Sequence, residues 1–156
     1  MSTGSINPLS RLAIHTITHK SWSLETMVEK YLLAGVQGIS VWRYNLEEKD
    51  TSSIRDLFLH SGLKVVSLVR GGFFTGNTRN EREQAILDNR KALEEAAAIG
   101  ADMLVLVCGA TPGQSLHVSR DQIEAAIEQL LPLAAEYRIK LAIEPLHPMY
   151  ADDRSA

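Results

Sequence analysis

Leu12-Ala13-Ile14-His15-Thr16-Ile17-Thr18-His19-Lys20 reads as a short apolar strand that runs into polar residues without a single glycine. A doubly wound nucleotide-binding sheet places a glycine-rich turn directly after its first strand, because the backbone there must approach a phosphate closely. The stretch therefore counts against a dinucleotide-binding turn. Part of a (β/α)₈ barrel and a doubly wound, flavodoxin-like sheet both remain open. An echo of the same pattern occurs far downstream, as Leu141-Ala142-Ile143-Glu144. Side chains alternate faces along a strand. In a barrel, Leu and Ile would point to surrounding helices, while Ala13, His15, Ala142 and Glu144 would point inward. Small residues deep in the barrel and polar ones at its C-terminal mouth suit an active site.

Outward from these two stretches, apolar runs alternate with helical patterns. Strands are expected at Arg11–Thr18, Gly38–Trp42, Lys64–Arg70, Met103–Gly109 and Lys140–Glu144, all rich in Val, Ile and Leu. Counted from Leu12, Gly38, Lys64, Met103 and Lys140, their starts lie 26, 26, 39 and 37 residues apart. Each interval holds a crossover helix between parallel strands. Ser23 is placed to cap a helix running to Leu33, with Gly35 beyond its end. A second helix is expected from near Asp50 to just before Gly62. Asn80 with Glu83 resembles a capping box for a third that runs until Gly100, and Ser119 with Gln122 repeats the device for a fourth. Pro132 falls inside the fourth and should kink or divide it. The order is βαβαβαβαβ, an α/β fold with a parallel sheet. Residues 1–10 read as a tail and 11–156 as one unit.

Composition sets the outer limits. The 156 residues are 45% hydrophobic and 22% charged, with net charge −3, a balance that excludes a disordered chain. The longest apolar run, Met103–Cys108, is far short of the ~20 residues that span a bilayer. No basic field points to nucleic acid. A single cysteine, Cys108, fits a reducing, cytoplasmic setting, and within an apolar strand it reads as a core hydrophobe rather than a nucleophile.

Candidate chemistry collects at strand ends. Glu144 follows a buried apolar run, where an unpaired carboxylate is costly, and Pro145 holds it extended at the rim. It either serves a metal ion or a substrate proton, or it is salt-bridged to Arg70 or Arg43. His147, followed by Pro148, either lines the pocket or packs in a loop. Arg70-Gly71-Gly72-Phe73-Phe74 ends the third strand, with two glycines that allow a ligand close to the backbone; the alternative is a solvent-covered turn. Trp42 could lie against a sugar ring or belong to the core. Arg43, Arg70 and Lys20 could bind a phosphate or carboxylate, or simply be solvated. His15, Trp42, Arg70 and His147 are the candidate substrate-binding residues.

Four stretches in order carry a family resemblance: Arg70-Gly71-Gly72-Phe73-Phe74-Thr75, Asp88-Asn89-Arg90-Lys91-Ala92, Leu104-Val105-Leu106-Val107 and Leu141-Ala142-Ile143-Glu144-Pro145-Leu146-His147-Pro148-Met149-Tyr150. Together the chain resembles the sugar phosphate isomerase/epimerase family of xylose isomerase-like (β/α)₈ barrels over about residues 11–156. Its most specific piece is Glu144 to Tyr150. The resemblance implies a divalent metal (Mn²⁺, Mg²⁺ or similar) held by a glutamate after the fifth strand, an aspartate after the sixth, a histidine near the seventh and a glutamate after the eighth. Glu144 matches the first, as both metal ligand and catalytic carboxylate. The other three positions fall outside a sequence that runs to Ala156, so a barrel truncated after about its fifth strand is expected, with weak or no metal binding. The implied chemistry is enediolate proton transfer on a sugar or sugar phosphate. An endonuclease IV-like activity, a polyol dehydratase, and a catalytically silent half-barrel that self-associates are the competing expectations. The expected partners are a small carbohydrate and a second copy or missing C-terminal half, with no nucleic acid and no membrane.

Overall fold

The computed structural model describes residues 9–147, so most of the expected tail and the stretch Pro148–Tyr150 lie outside the described residues. Five strands form the sheet: β1 (Ala13–His15), β2 (Gly38–Trp42), β3 (Lys64–Gly72), β4 (Met103–Val107) and β5 (Lys140–Ile143). Between them run α1 (Leu24–Leu33), α2 (Thr51–Ser61), α3 (Arg79–Ala98) and α4 (Leu116–Tyr137), with 3-10 turns at Thr16–His19 and Arg43–Asn45.

All neighbouring strands pair in parallel, in the spatial order β1-β2-β3-β4-β5. This order separates the two architectures. Every crossover steps to the next strand in the same direction, and right-handed crossovers then place every helix on one face of the sheet. A doubly wound sheet must instead reverse its order at a switch point and carry helices on both faces. The fold is therefore α/β of the truncated (β/α)₈ type.

Alternation along each strand sets the two faces. Ile39, Val41, Val65, Leu68, Leu104 and Leu106 pack with Met27, Phe58, Leu93 and Leu130 of the helices in one continuous core. The opposite face carries small and polar groups. A side chain at Gly38 would strike Ala13 and Val66, and the buried hydroxyls of Ser40 and Ser67 hydrogen-bond across β2 and β3. Cys108 belongs to the helix-side core, where burial pushes its thiol pKa up. Among the described residues, no helix is long and apolar enough to cross a membrane.

Several local expectations shift. The first strand is shorter than expected, because the chain turns into a 3-10 helix at Thr16, whereas β3 extends to Gly72. Ser23 caps α1 and Asp50 caps α2 through backbone N–H groups, and Gly62 closes α2 at φ 72°. The capping box of α3 is Thr78 with Glu81, not Asn80 with Glu83: Glu81 N–H donates to Thr78 Oγ1 at 3.2 Å, and Thr78 N–H donates to the Glu81 carboxylate at 2.8 Å. Ser115, not Ser119, caps α4. Ser119 sits one turn inside, buried, and accepts from Gln114 Nε2. Pro132 does not divide α4, which is continuous from Leu116 to Tyr137. Both Pro132 and Glu128 are exposed, so the Glu128 carbonyl that loses its helical donor can be solvated.

Candidate active site

The C-terminal ends of β1, β2 and β3 are tied into one rim. Trp42 N–H donates to the buried Thr16 Oγ1 at 3.0 Å, and the Trp42 indole Nε1–H donates to His15 Nδ1 at 3.2 Å. These bonds fix the indole's edge toward β1. The Arg70 guanidinium lies 5.9 Å from the Trp42 ring centroid and 4.6 Å from that of Phe73, distances at which a cation is attracted to a ring face. Tyr44 extends the aromatic row, 6.4 Å from Trp42, and Lys20 Nζ stands 5.7 Å from the Tyr44 ring. Beside it, His19 stacks on Trp22 with centroids 4.2 Å apart, and a 3.0 Å hydrogen bond joins its Nδ1 to the Tyr31 hydroxyl.

The end of β3 is held from behind. Asn89 of α3 is fully buried, accepts from Gly72 N–H at 2.6 Å, and donates through Nδ2 to Gly72 C=O and Ala85 C=O, each at 2.8 Å. Gly72 has φ 106°, and a Cβ there would overlap the carbonyl of Val107, so only glycine fits. Phe73 and Phe74 then donate their N–H groups to Val107 and Cys108 carbonyls at 2.7 and 2.9 Å. Phe74 turns into the core while Phe73 remains 38% exposed beside Arg70.

Glu144 leaves β5 at the same mouth, its N–H donating to Leu106 C=O at 3.0 Å. Its side chain is exposed, and among the described residues no ion pair reaches it. The expected alternative of a bridge to Arg43 does not occur. Arg43 instead turns to the helix layer, donating to both oxygens of Asp88 at 2.8 and 2.9 Å and to Glu95 at 2.7 Å. Burial works against its charge, but the two carboxylates outweigh it and raise its pKa above the ordinary value. Arg43 is thereby removed from the candidate anion-binding residues. The rim thus brings His15, Trp42 and Arg70 together, with Glu144 two strands away on β5. His147 is exposed beyond β5.

Asn89, Tyr44 and Thr16 are the contributors that sequence reasoning missed. For Asn89 a signal existed, since it interrupts the helix-face row Ala85, Ala92, Leu93 and Ala96 with a lone amide.

Among the described residues, no complete donor set for a metal ion is assembled: no three His, Cys, Asp or Glu side chains converge, and Glu144 is the single member of the expected set within them.

Solved structures share this fold. Protein SMc04130 of Sinorhizobium meliloti 1021 is 39% identical, with a TM-score of 0.85, covering 92% of this chain and 54% of its own. D-psicose 3-epimerase, solved in the presence of D-fructose, is 13% identical with a TM-score of 0.75, covering 92% of this chain and 54% of its own. The IOLI protein with a bound zinc atom is 16% identical with a TM-score of 0.70, covering 84% and 50%. At these last two identities the likeness concerns the fold alone. The chain spans about half the length of each of the three. No curated protein matches the chain. Residues 28–155 match the family model described as xylose isomerase-like TIM barrel, and the chain belongs to that family.

Proposed function

We propose that this chain forms the first five strands of a sugar isomerase or epimerase, in which Glu144 moves a proton next to a substrate carbonyl through an enediolate. The supporting observation is the exposed Glu144 carboxylate at the same strand-end mouth as the His15–Trp42–Arg70 rim. A carboxylate that no cation pairs among the described residues is available to accept a carbon-bound proton as a general base. Trp42 supplies an aromatic face for sugar C–H groups, with its indole N–H already engaged by His15. His147 is assigned to the pocket edge. A divalent metal, expected of the complete family site, needs ligands beyond Glu144.

The reading is tested by deuterium wash-in. Ketoses are incubated with the chain in D₂O with Mn²⁺ or Mg²⁺, and carbon-bound deuterium is followed by NMR. Incorporation with the native chain and none with Glu144→Gln supports the reading. If neither metal binding nor exchange responds to Glu144→Gln, the reading fails.

A second reading is favoured by the open sheet edges. Leu12 beside β1 is 42% exposed, and Ile143 at the end of β5 is 61% exposed. Ile143 shares a groove of about 370 Å³ with Cys108, Ile123 and Ile127. Unpaired edges and uncovered apolar surface drive association, so a catalytically silent half-barrel that self-associates is the alternative, tested by its size in solution.

A further inference from the structure

We infer that His15 is a specificity-determining hydrogen-bond donor: the Trp42 indole fixes its imidazole as the neutral Nε2–H form, and that N–H meets a carbonyl or hydroxyl oxygen of the sugar in the mouth. The inference deepens the sugar-binding reading proposed above and rests on it.

Its first support is a count of donors. An indole Nε1–H can only donate, so the nitrogen that receives it must carry a lone pair. Trp42 Nε1–H donates to His15 Nδ1 at 3.2 Å. Nδ1 is therefore bare, and in a neutral ring the single proton lies on Nε2. A ring protonated on both nitrogens would set donor against donor at this contact, so the bond holds only while His15 is uncharged.

The second support is placement. Ile14 packs against the helix-side core, and side chains alternate along a strand. His15 thus stands on the opposite face, at the C-terminal end of β1. It is exposed, and among the described residues its Nε2 has no protein partner. The outer nitrogen is left to a ligand.

The third is rigidity. Trp42 is itself tied to β1, its backbone N–H donating to the fully buried Thr16 Oγ1 at 3.0 Å. A donor already held in place loses little side-chain freedom when a ligand arrives.

The titratable and charged groups around this pair come from each neighbouring element. After β1, His19 is bonded to Tyr31 of α1, and Lys20 lies at the Tyr44 ring. From β3, Arg70 lies 5.9 Å from the Trp42 centroid. Past the end of β2, Arg43 is bound by Asp88 and Glu95. No carboxylate pairs with His15 among the described residues, so no fixed anion there calls for a charged ring.

The test follows the Trp42 indole N–H by proton–nitrogen NMR, with Trp22→Phe identifying the signal, and titrates D-fructose into the same samples. In the native chain the indole proton should be hydrogen-bonded at pH 8 and released at pH 5, the span over which an imidazole gains its second proton. His15→Asn puts an amide oxygen where Nδ1 stood and nothing in place of Nε2. It should keep the indole bonded at both pH values yet bind D-fructose about 5-fold more weakly at pH 8, the worth of one hydrogen bond. His15→Gln, whose amide reaches the outer position, should recover part of that loss, and His15→Phe should lose both the indole bond and the affinity. An indole signal indifferent to pH and to His15→Phe overturns the fixed form of the ring. Equal D-fructose binding by the native chain and His15→Asn overturns the donor role and leaves the sugar-binding reading standing. A native chain that binds no D-fructose at pH 8 rejects that reading, and the donor role with it.

Discussion

Asn89→Leu tests whether the rim is held as described. The substitution keeps a side chain of similar size but removes all three amide hydrogen bonds of Asn89, two of them to Gly72. Gly72 is buried against β4, so its N–H and C=O cannot turn to water. Each buried backbone group left unpaired costs ~1–3 kcal/mol, which puts the loss at roughly 2–6 kcal/mol for the pair. Against a typical total of ~5–15 kcal/mol, this is a large fraction. At ~2–4 °C per kcal/mol for a chain of this size, the melting temperature should fall by about 10 °C. Asn89→Ala should cost less, because the space it opens can admit a water that satisfies both groups. Thermal melts followed by circular dichroism, with urea titrations alongside, give both numbers. A Leu variant that melts within about 2 °C of the native chain refutes the clamp.

Gly72→Ala should be more damaging still, because φ 106° and the Val107 carbonyl leave no space for a Cβ; it should yield little soluble folded protein, and a normal melting curve would contradict this. Asp50 caps α2 with its carboxylate held at about 2, below its usual value, chiefly by the Ser52 and Ser53 hydroxyls. A depressed carboxylate stabilises the fold above its unfolded pKa and loses that contribution as pH falls toward 2. Stability measured between pH 5 and 2 should therefore decline less in Asp50→Ser, which keeps a cap that does not titrate; parallel curves would reject the assignment. Ile143→Lys places a charge at the 61%-exposed apolar end of the groove beside α4 and should reduce any self-association seen by size-exclusion with light scattering. A native chain that is monomeric at all concentrations removes the associating half-barrel.

Local features were legible in the residues because their causes are local. β2 spans Gly38–Trp42 as read, and Ser23, Asp50 and Gly62 perform the capping that their side chains or φ freedom dictate. The α3 start was misplaced because Thr78-x-x-Glu81 and Asn80-x-x-Glu83 offer the same spacing two residues apart. What decides between them is where the chain leaves Gly76, which is held by Gln122 of α4, 46 residues on.

The alternation of apolar strands with capped helices, the parallel sheet, and the placement of Glu144 and His15 at strand ends follow from the sequence by itself. Periodicity and caps act over a few residues, so they survive without tertiary context. Which cation faces the mouth was decided only in three dimensions. Trp42 and Arg43 are adjacent, yet one meets His15 and Arg70 while the other crosses to Asp88 and Glu95. Neighbouring residues at a strand end point to opposite faces, and their partners lie 27 to 52 residues away. Only the stacking of β1, β2, β3 and α3 brings those partners within reach, and that stacking makes Arg70 part of the rim and Arg43 part of the helix layer.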